Sequence, residues 1–283
     1  LIQEPDLISC SVQSYVTRYD LLRGLRKGGT FLLNTLWSPE ELEAHLPASM
    51  KRFIAENDIK FYTINATKIA ADLGLGGRTN MIMQAAFFKL SEVIPLDLAV
   101  EKLKESIVAN YGHKGEDIVN MNYAAVDAGI HEIVEIEIPA NWKDAKDEEA
   151  GEDNRPDFIK NILTPMVRQE GNDLPVSAFA GMEDGTFPAG TSAYEKRGIA
   201  VNVPEWQAEN CIQCNQCSYV CPHAVIRPFL LDEEEAKNKP ENFNTIAARG
   251  KGLDGMEYKI QVSTLDCTGC GNCADVCPAK DKA

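Results

Sequence analysis

The sequence predicts an α/β body with a mostly parallel sheet, then an irregular linker segment, then a small cysteine-dense α+β module. Three observations carry this reading. Up to about residue 140, short apolar runs alternate with helix-like patterns, as strands joined by crossover helices do. Residues 156–210 are rich in Pro and Gly and show few periodic runs. Eight of the nine cysteines fall between Cys211 and Cys277, and the ninth is Cys10.

Leu7-Ile-Ser-Cys-Ser-Val, Phe31-Leu-Leu-Asn and Ile59-Lys-Phe-Tyr-Thr-Ile-Asn are the expected strands, each bounded by polar or turn residues. Gly28-Gly29 is expected to close a first helix ahead of the second strand. Ser38-Pro39-Glu40-Glu41 has the form of a helix start, with Ser38 as cap, Pro39 in the first turn and Glu41 at the reciprocal position. Pro47 should break that helix and open another, with Met50, Phe53 and Ile54 on its buried face. Leu98, Leu103, Ile107 and Tyr111 mark a further amphipathic helix, and Ile133–Ile138 alternates up to Pro139 as a strand or strand exit. From Trp142 to Arg155 the chain turns acidic and polar, which suits a linker; one helix is expected at Asp157–Gln169. These features set off a body to about residue 140, a linker candidate at Trp142–Arg155, an extended arm over 156–210 and a cysteine module over 211–283.

The chain has 283 residues, 44% of them apolar, enough for about two domains with real cores. Its net charge of −15 argues against nucleic acid or an anionic membrane surface as a partner. No apolar run approaches the roughly 18 residues a membrane span needs. The chain opens on Leu1-Ile-Gln-Glu-Pro rather than Met and stops six residues after its last cysteine, as expected of a piece of a longer protein.

The cysteines repeat one pattern. Cys211-x-x-Cys214-x-x-Cys217-x-x-x-Cys221-Pro222 is followed by Cys267-x-x-Cys270-x-x-Cys273-x-x-x-Cys277-Pro278. This is the bacterial run for two [4Fe–4S] clusters. Three thiolates two residues apart wrap one loop around three irons of a cube. The fourth lies too far round to reach the same cube and ligates the other. Cys211, Cys214, Cys217 and Cys277 are thus expected to hold one cluster, and Cys267, Cys270, Cys273 and Cys221 the second. Gly269 and Gly271, with Ile212, Val220, Val225, Ile226 and Val276 around them, suit an apolar cage with backbone N–H groups facing sulfur. Zinc is the alternative, since paired cysteines also bind it, though zinc ribbons need only two pairs. Cysteines at this density imply a reducing cytoplasm. Cys10 reads as a small buried hydrophobe. His45, His113 and His131 lack a paired base, and His223 follows Cys221-Pro222 at the surface or near a cluster.

Between Cys221 and Cys267 lie 45 residues, more than a small free electron carrier needs. They include Asp232-Glu-Glu-Glu, a Gly-rich turn at Gly250–Gly255 and a strand-like Met256–Ser263. Either this insert packs on a larger body or it is a solvated excursion.

Ala193-Tyr-Glu-Lys-Arg-Gly-Ile-Ala200, followed by Val203-Pro-Glu-Trp206, resembles the Glu-Lys-Arg linker of the pyruvate:ferredoxin (flavodoxin) oxidoreductases. Gly29–Asn34, Phe61–Asn65, Asn80–Phe88 and Asn120–Val126 are similar to the gamma-type domain of the same family, so the resemblance spans essentially the whole chain. It implies a gamma-type α/β domain over 1–140, incomplete at its N-terminus. A linker domain over 141–205 and a two-cluster ferredoxin-type domain over 206–283 follow.

The family decarboxylates pyruvate on thiamine diphosphate and releases acetyl-CoA. Its electrons pass through three [4Fe–4S] clusters to ferredoxin or flavodoxin. The resemblance therefore implies that thiamine diphosphate, Mg2+ and the third cluster belong to other parts of a homodimeric enzyme. The thiamine-binding Gly-Asp-Gly motif is not met here, since Leu253-Asp-Gly255 lacks its first Gly. The Gly-rich loop that cradles CoA phosphates is not met either. For CoA, the best-matching positions are Asn80, Asn122 and Arg78: an amide can read adenine or pantetheine, and a guanidinium can pair phosphate. The plainer reading is that the two asparagines satisfy local backbone. The Tyr194–Arg197 group is expected to be structural, with charges paired across domains. The expected function is electron exit from such an oxidoreductase. The alternative is a non-catalytic iron–sulfur subunit of another 2-oxoacid or multi-subunit dehydrogenase.

Overall fold

The computed structural model describes residues 2–147 and 153–283. It divides into two compact units, Leu1–Gly185 and Thr186–Ala283.

In the first unit, β1 (Leu7–Cys10), β2 (Thr30–Asn34), β3 (Lys60–Ile64) and β4 (Val134–Glu135) form one sheet in that order. The first three strands are parallel, with Leu7 opposite Thr30 and Thr30 opposite Lys60; β4 is antiparallel to β3. The run Ile133–Ile138 supplies only two ladder residues, although the Ile136 N–H still donates to the Phe61 carbonyl at 2.9 Å.

Phe31, Leu32 and Leu33 are all fully buried, so β2 is covered on both faces. A continuous apolar run, rather than an alternating one, is what such a strand requires. Phe31, Leu33 and Phe61 face α1 (Leu42–His45) and α2 (Ala48–Glu56) in one core, with Phe31 stacked on Phe61 at 5.3 Å. Leu32 and Ile64 share the other core with α3 (Ala66–Asp72), α4 (Asn80–Ser91), α5 (Leu96–Tyr111) and α6 (Glu116–His131). Gly129 lets α6 approach α4: a Cβ there would stand 2.3 Å from the Ile82 carbonyl oxygen.

Several expectations shift. Gly28-Gly29 closes turns rather than a helix; the segment between β1 and β2 holds only a short 3-10 turn, Gln13–Thr17. The Ser38 N–H does donate to the Glu41 carboxylate at 2.7 Å, yet regular helix begins only at Leu42. Trp142, placed in the linker from sequence, is 2% exposed and packs on Phe61. Its indole N–H donates to the Glu43 carboxylate. Arg52 bonds the Ala145 carbonyl and Asp147, so the chain is tied to the body at least that far. Residues 148–152 of that acidic run lie outside the described residues. The helix expected at Asp157–Gln169 does form, over residues 157–167, with a π-turn at Ile159–Leu163 leading into α7 (Thr164–Val167). Pro165 has no N–H to offer the Asn161 carbonyl, and the wider turn instead joins the Thr164 N–H to the Ile159 carbonyl.

The second unit contains α8 (Gln216–Tyr219), β5 (Ile226–Leu231), α9 (Glu233–Asn238), β6 (Ile246–Ala247), β7 (Glu257–Val262) and α10 (Asn272–Asp275). The strands form an antiparallel sheet in the order β5-β7-β6. Pro228 sits in β5, at the sheet edge where a missing N–H costs least. Asp232 opens α9 with a full capping box to Glu235. Residues 232–255 of the 45-residue insert are largely exposed, but its last strand joins the core of this unit. Its strand β7 buries Tyr258 and Ile260 against Val225, Ile226 and the cysteine loops themselves.

Candidate metal centre

The two cysteine motifs fold alike. Each runs through a loop and into one short helix, α8 after Cys214 and α10 after Cys270, and these helices pack together. The loops need left-handed backbone at the same two places. In the second motif Gly269 and Gly271 supply it, with φ of 70° and 81°. In the first, Gln213 and Asn215 adopt it at 61° each, without glycine. Side chains hold these two in place. Gln213 donates to the Ala247 carbonyl (2.7 Å) and accepts from the Arg249 N–H (2.8 Å). Asn215 accepts from the Tyr258 hydroxyl at 2.5 Å.

The thiols are brought together crosswise. Cys221, Cys267, Cys270 and Cys273 line one cavity of about 210 Å³, with Val225, Ile226 and Gly271 in its wall. Cys211, Cys214, Cys217 and Cys277 line another, with Trp206, Ile212 and Ile260. Each set takes three thiols from one motif and the last from the other. The thiols surround a space rather than meet at a point: among the described residues, no three His, Cys, Asp or Glu stand as a group fit for a single ion.

Backbone N–H groups point at sulfur in both motifs. Gln213 N–H donates to Cys211 Sγ and Gly269 N–H to Cys267 Sγ, each at 3.4 Å. Val225 N–H reaches Cys221 Sγ at 3.4 Å, and Ala283 N–H reaches Cys277 Sγ at 3.3 Å. Such donors favour sulfur that carries negative charge. Burial pushes the Cys217 and Cys273 thiols up, against backbone hydrogen bonds that lower them. The protons must leave when a metal binds, and metal charge offsets that cost. Thiolate donors, apolar walls and inward N–H groups fit a [4Fe–4S] cluster in each cavity. Val225 and Ile226 are buried as the cage reading expects, whereas Ile212 and Val220 remain exposed.

Other candidates are dispersed. Arg78 and Asn80 are exposed, Asn80 opening α4. Asn122 is buried in α6 and donates to the Ile118 carbonyl one turn back, at 2.8 Å. Neither cysteine cavity includes any of the three. His223 lines the larger cavity. Cys10 is buried with its thiol on the Val12 carbonyl, and burial pushes its pKa up. Lys196, of the Glu-Lys-Arg segment, pairs with Asp266, the residue before Cys267. Sequence reasoning did not assign Trp206 or Tyr258 to the site; only their proximity in the fold brings them to it.

Comparison with known proteins covers most of the chain. Residues 1–132 match the family model described as pyruvate ferredoxin/flavodoxin oxidoreductase. Residues 144–200 match the family model EKR, described as a domain of unknown function, and 208–280 match one described as a 4Fe-4S dicluster domain. Over its full length the chain is 59% identical to a pyruvate-flavodoxin oxidoreductase of Enterobacter agglomerans. It is 57% identical to the pyruvate:ferredoxin oxidoreductase of Moorella thermoacetica. Across 98% of its length it is 45% identical to a mitochondrial pyruvate dehydrogenase [NADP(+)] of Euglena gracilis. The chain spans about a quarter of the length of the first two (24% each) and 15% of the third. No helix among the described residues is long and apolar enough to cross a membrane.

Proposed function

We propose that this chain is the electron-exit segment of a pyruvate:ferredoxin (flavodoxin) oxidoreductase. Cys211, Cys214, Cys217 and Cys277 hold one [4Fe–4S] cluster, and Cys221, Cys267, Cys270 and Cys273 hold the second. The clusters supply one-electron redox steps; the chain's own residues bind them, exclude water and aim N–H groups at sulfur. The whole protein's reaction is pyruvate plus CoA giving acetyl-CoA, CO2, a proton and two electrons, with ferredoxin or flavodoxin as acceptor. Thiamine diphosphate, Mg2+ and a third cluster belong to the portion of the relatives that this chain does not cover. The enzyme is a cytoplasmic homodimer. Residues 1–140 form its gamma-type domain, 141–205 the linker domain and 206–283 the ferredoxin-type domain. Arg78 and Asn80, both exposed, and Asn122, one of whose amide N–H groups is held by the Ile118 carbonyl, are offered to CoA.

The observation that carries this reading is the crosswise gathering of four thiols around each of two cavities. Anaerobic purification followed by metal, sulfide and EPR analysis tests it. About eight iron and eight acid-labile sulfide per chain are expected, beyond any contributed by other segments. Zinc at about two per chain, with no sulfide and no signal on reduction, overturns it.

A further inference from the structure

Trp206 stands in the wall of the cavity bounded by Cys211, Cys214, Cys217 and Cys277. Its indole nitrogen is buried and has no hydrogen-bond partner among the described residues. The contrast with Trp142 is informative, because that buried indole has its acceptor in Glu43. Buried N–H groups without partners are rare in native proteins, since desolvation is then uncompensated. An indole N–H is a donor only, so what it lacks is an acceptor. The surrounding wall is mostly apolar apart from its thiols, Asn215 and the Tyr258 hydroxyl, and those last two are bonded to each other.

The ring is held in place. Tyr258 meets it edge-on, with centroids 6.2 Å apart. The Lys259 ammonium lies 5.0 Å from its centroid and 4.9 Å from that of Phe243. A cation on the π face draws electron density from the indole and makes its N–H a stronger donor.

We propose that the Trp206 N–H is a hydrogen-bond donor to sulfur of the cluster held by Cys211, Cys214, Cys217 and Cys277, and that it raises the reduction potential of that cluster. The inference rests on the cluster reading above and adds to it a residue that contacts the cluster. Reduction adds one electron and makes the cluster more negative. A donor aimed at its sulfur therefore stabilises the reduced form more than the oxidised one.

The test uses the full-length, cluster-loaded enzyme and Trp206→Phe, which keeps an aromatic ring and removes the N–H. Iron and sulfide content comes first: wild-type protein without clusters defeats the cluster reading, not this one. In an EPR-monitored redox titration, the variant should reduce one cluster about two- to tenfold less favourably and leave the others unchanged; tenfold is 59 mV for one electron. Potentials that are unchanged, raised, or lowered for all clusters together overturn the proposal. A second measurement needs no substitution. In protein labelled with 15N-tryptophan, the reduced cluster should show a 15N hyperfine coupling by pulsed EPR. Absence of that coupling overturns the proposal even if the variant fails to retain its clusters.

Discussion

The Tyr258 hydroxyl donates to the Asn215 side chain at 2.5 Å, across 43 residues of sequence. Asn215 holds a left-handed conformation between Cys214 and Cys217, and Tyr258 sits at the buried centre of the three-stranded sheet. The insert therefore braces a cysteine loop from beneath. Tyr258→Phe keeps the ring and removes the bond, at a cost of about 1 kcal/mol. Amides of residues 211–217 should exchange hydrogen about fivefold faster in the variant if local opening governs exchange. Unchanged exchange there would show that the loop holds its shape without the tyrosine.

The second loop should be sensitive to any side chain at its glycines, and unequally so. A Cβ on Gly269 would stand 3.1 Å from the Asn202 carbonyl oxygen, whereas one on Gly271 meets nothing within 4 Å. Both positions carry the left-handed strain of roughly 1–2 kcal/mol for a non-glycine residue. Gly269→Ala should therefore lose iron to a chelator faster than Gly271→Ala, and both faster than wild type. A reversed order would contradict the close approach.

Glu43 gives the first unit an acid-sensitive contact. The Trp142 indole N–H, and then Lys51, hold its carboxyl below the usual value of 4.5. A carboxylate whose folded pKa is depressed stabilises the fold above its unfolded pKa and loses that contribution as pH falls through the folded value. The urea midpoint of wild type should exceed that of Glu43→Gln at pH 7. The gap should close as pH drops below about 4.5. A gap that is constant from pH 7 to 3.5 would assign the effect to packing rather than charge.

Lys196 and Asp266 form an ion pair whose side chains are 33% and 30% exposed. Screening limits such a pair to about 1 kcal/mol or less. The Gly198 N–H also holds the segment, through the Leu265 carbonyl at 2.8 Å. Lys196→Met should consequently lower the thermal midpoint of the second unit only slightly and leave cluster content unchanged. Loss of clusters would mean that the Glu-Lys-Arg segment does more than fasten the chain beside Cys267.

What was legible beforehand follows from the range of the interactions. The β2 run Phe31-Leu-Leu is a strand because both faces are buried, and a continuous apolar run announces that locally. The cysteine spacing was legible because ligand geometry is set within a dozen residues. Trp142 was misplaced because its acidic neighbours resemble a linker, while its acceptor Glu43 lies 99 residues away. The insert's contribution to the cysteine site is hidden for the same reason: Tyr258 and Ile260 alternate as strand residues do, but nothing nearby says that their buried face meets the cysteine loops. Asn122 could be a ligand by residue type, and only the fold reveals that it is buried and gives one amide N–H to the Ile118 carbonyl.

The crosswise arrangement can be read by grouping ligand substitutions. If each cluster takes its fourth thiolate from the other motif, Cys277→Ser perturbs the same EPR signal as Cys211→Ser, although Cys277 lies only four residues from Cys273. Cys221→Ser then perturbs the same signal as Cys267→Ser. If each motif served its own cluster, Cys277→Ser would group with Cys267→Ser instead. Serine is nearly isosteric but a harder ligand, so the affected cluster should persist at lower potential or be lost, and the other should titrate as before. Because Trp206 lines the Cys277 cavity and not the other, the signal moved by Cys277→Ser must also be the one moved by Trp206→Phe. Agreement among Cys211, Cys277 and Trp206 would tie the donor, the distant ligand and the local ligand to one cluster.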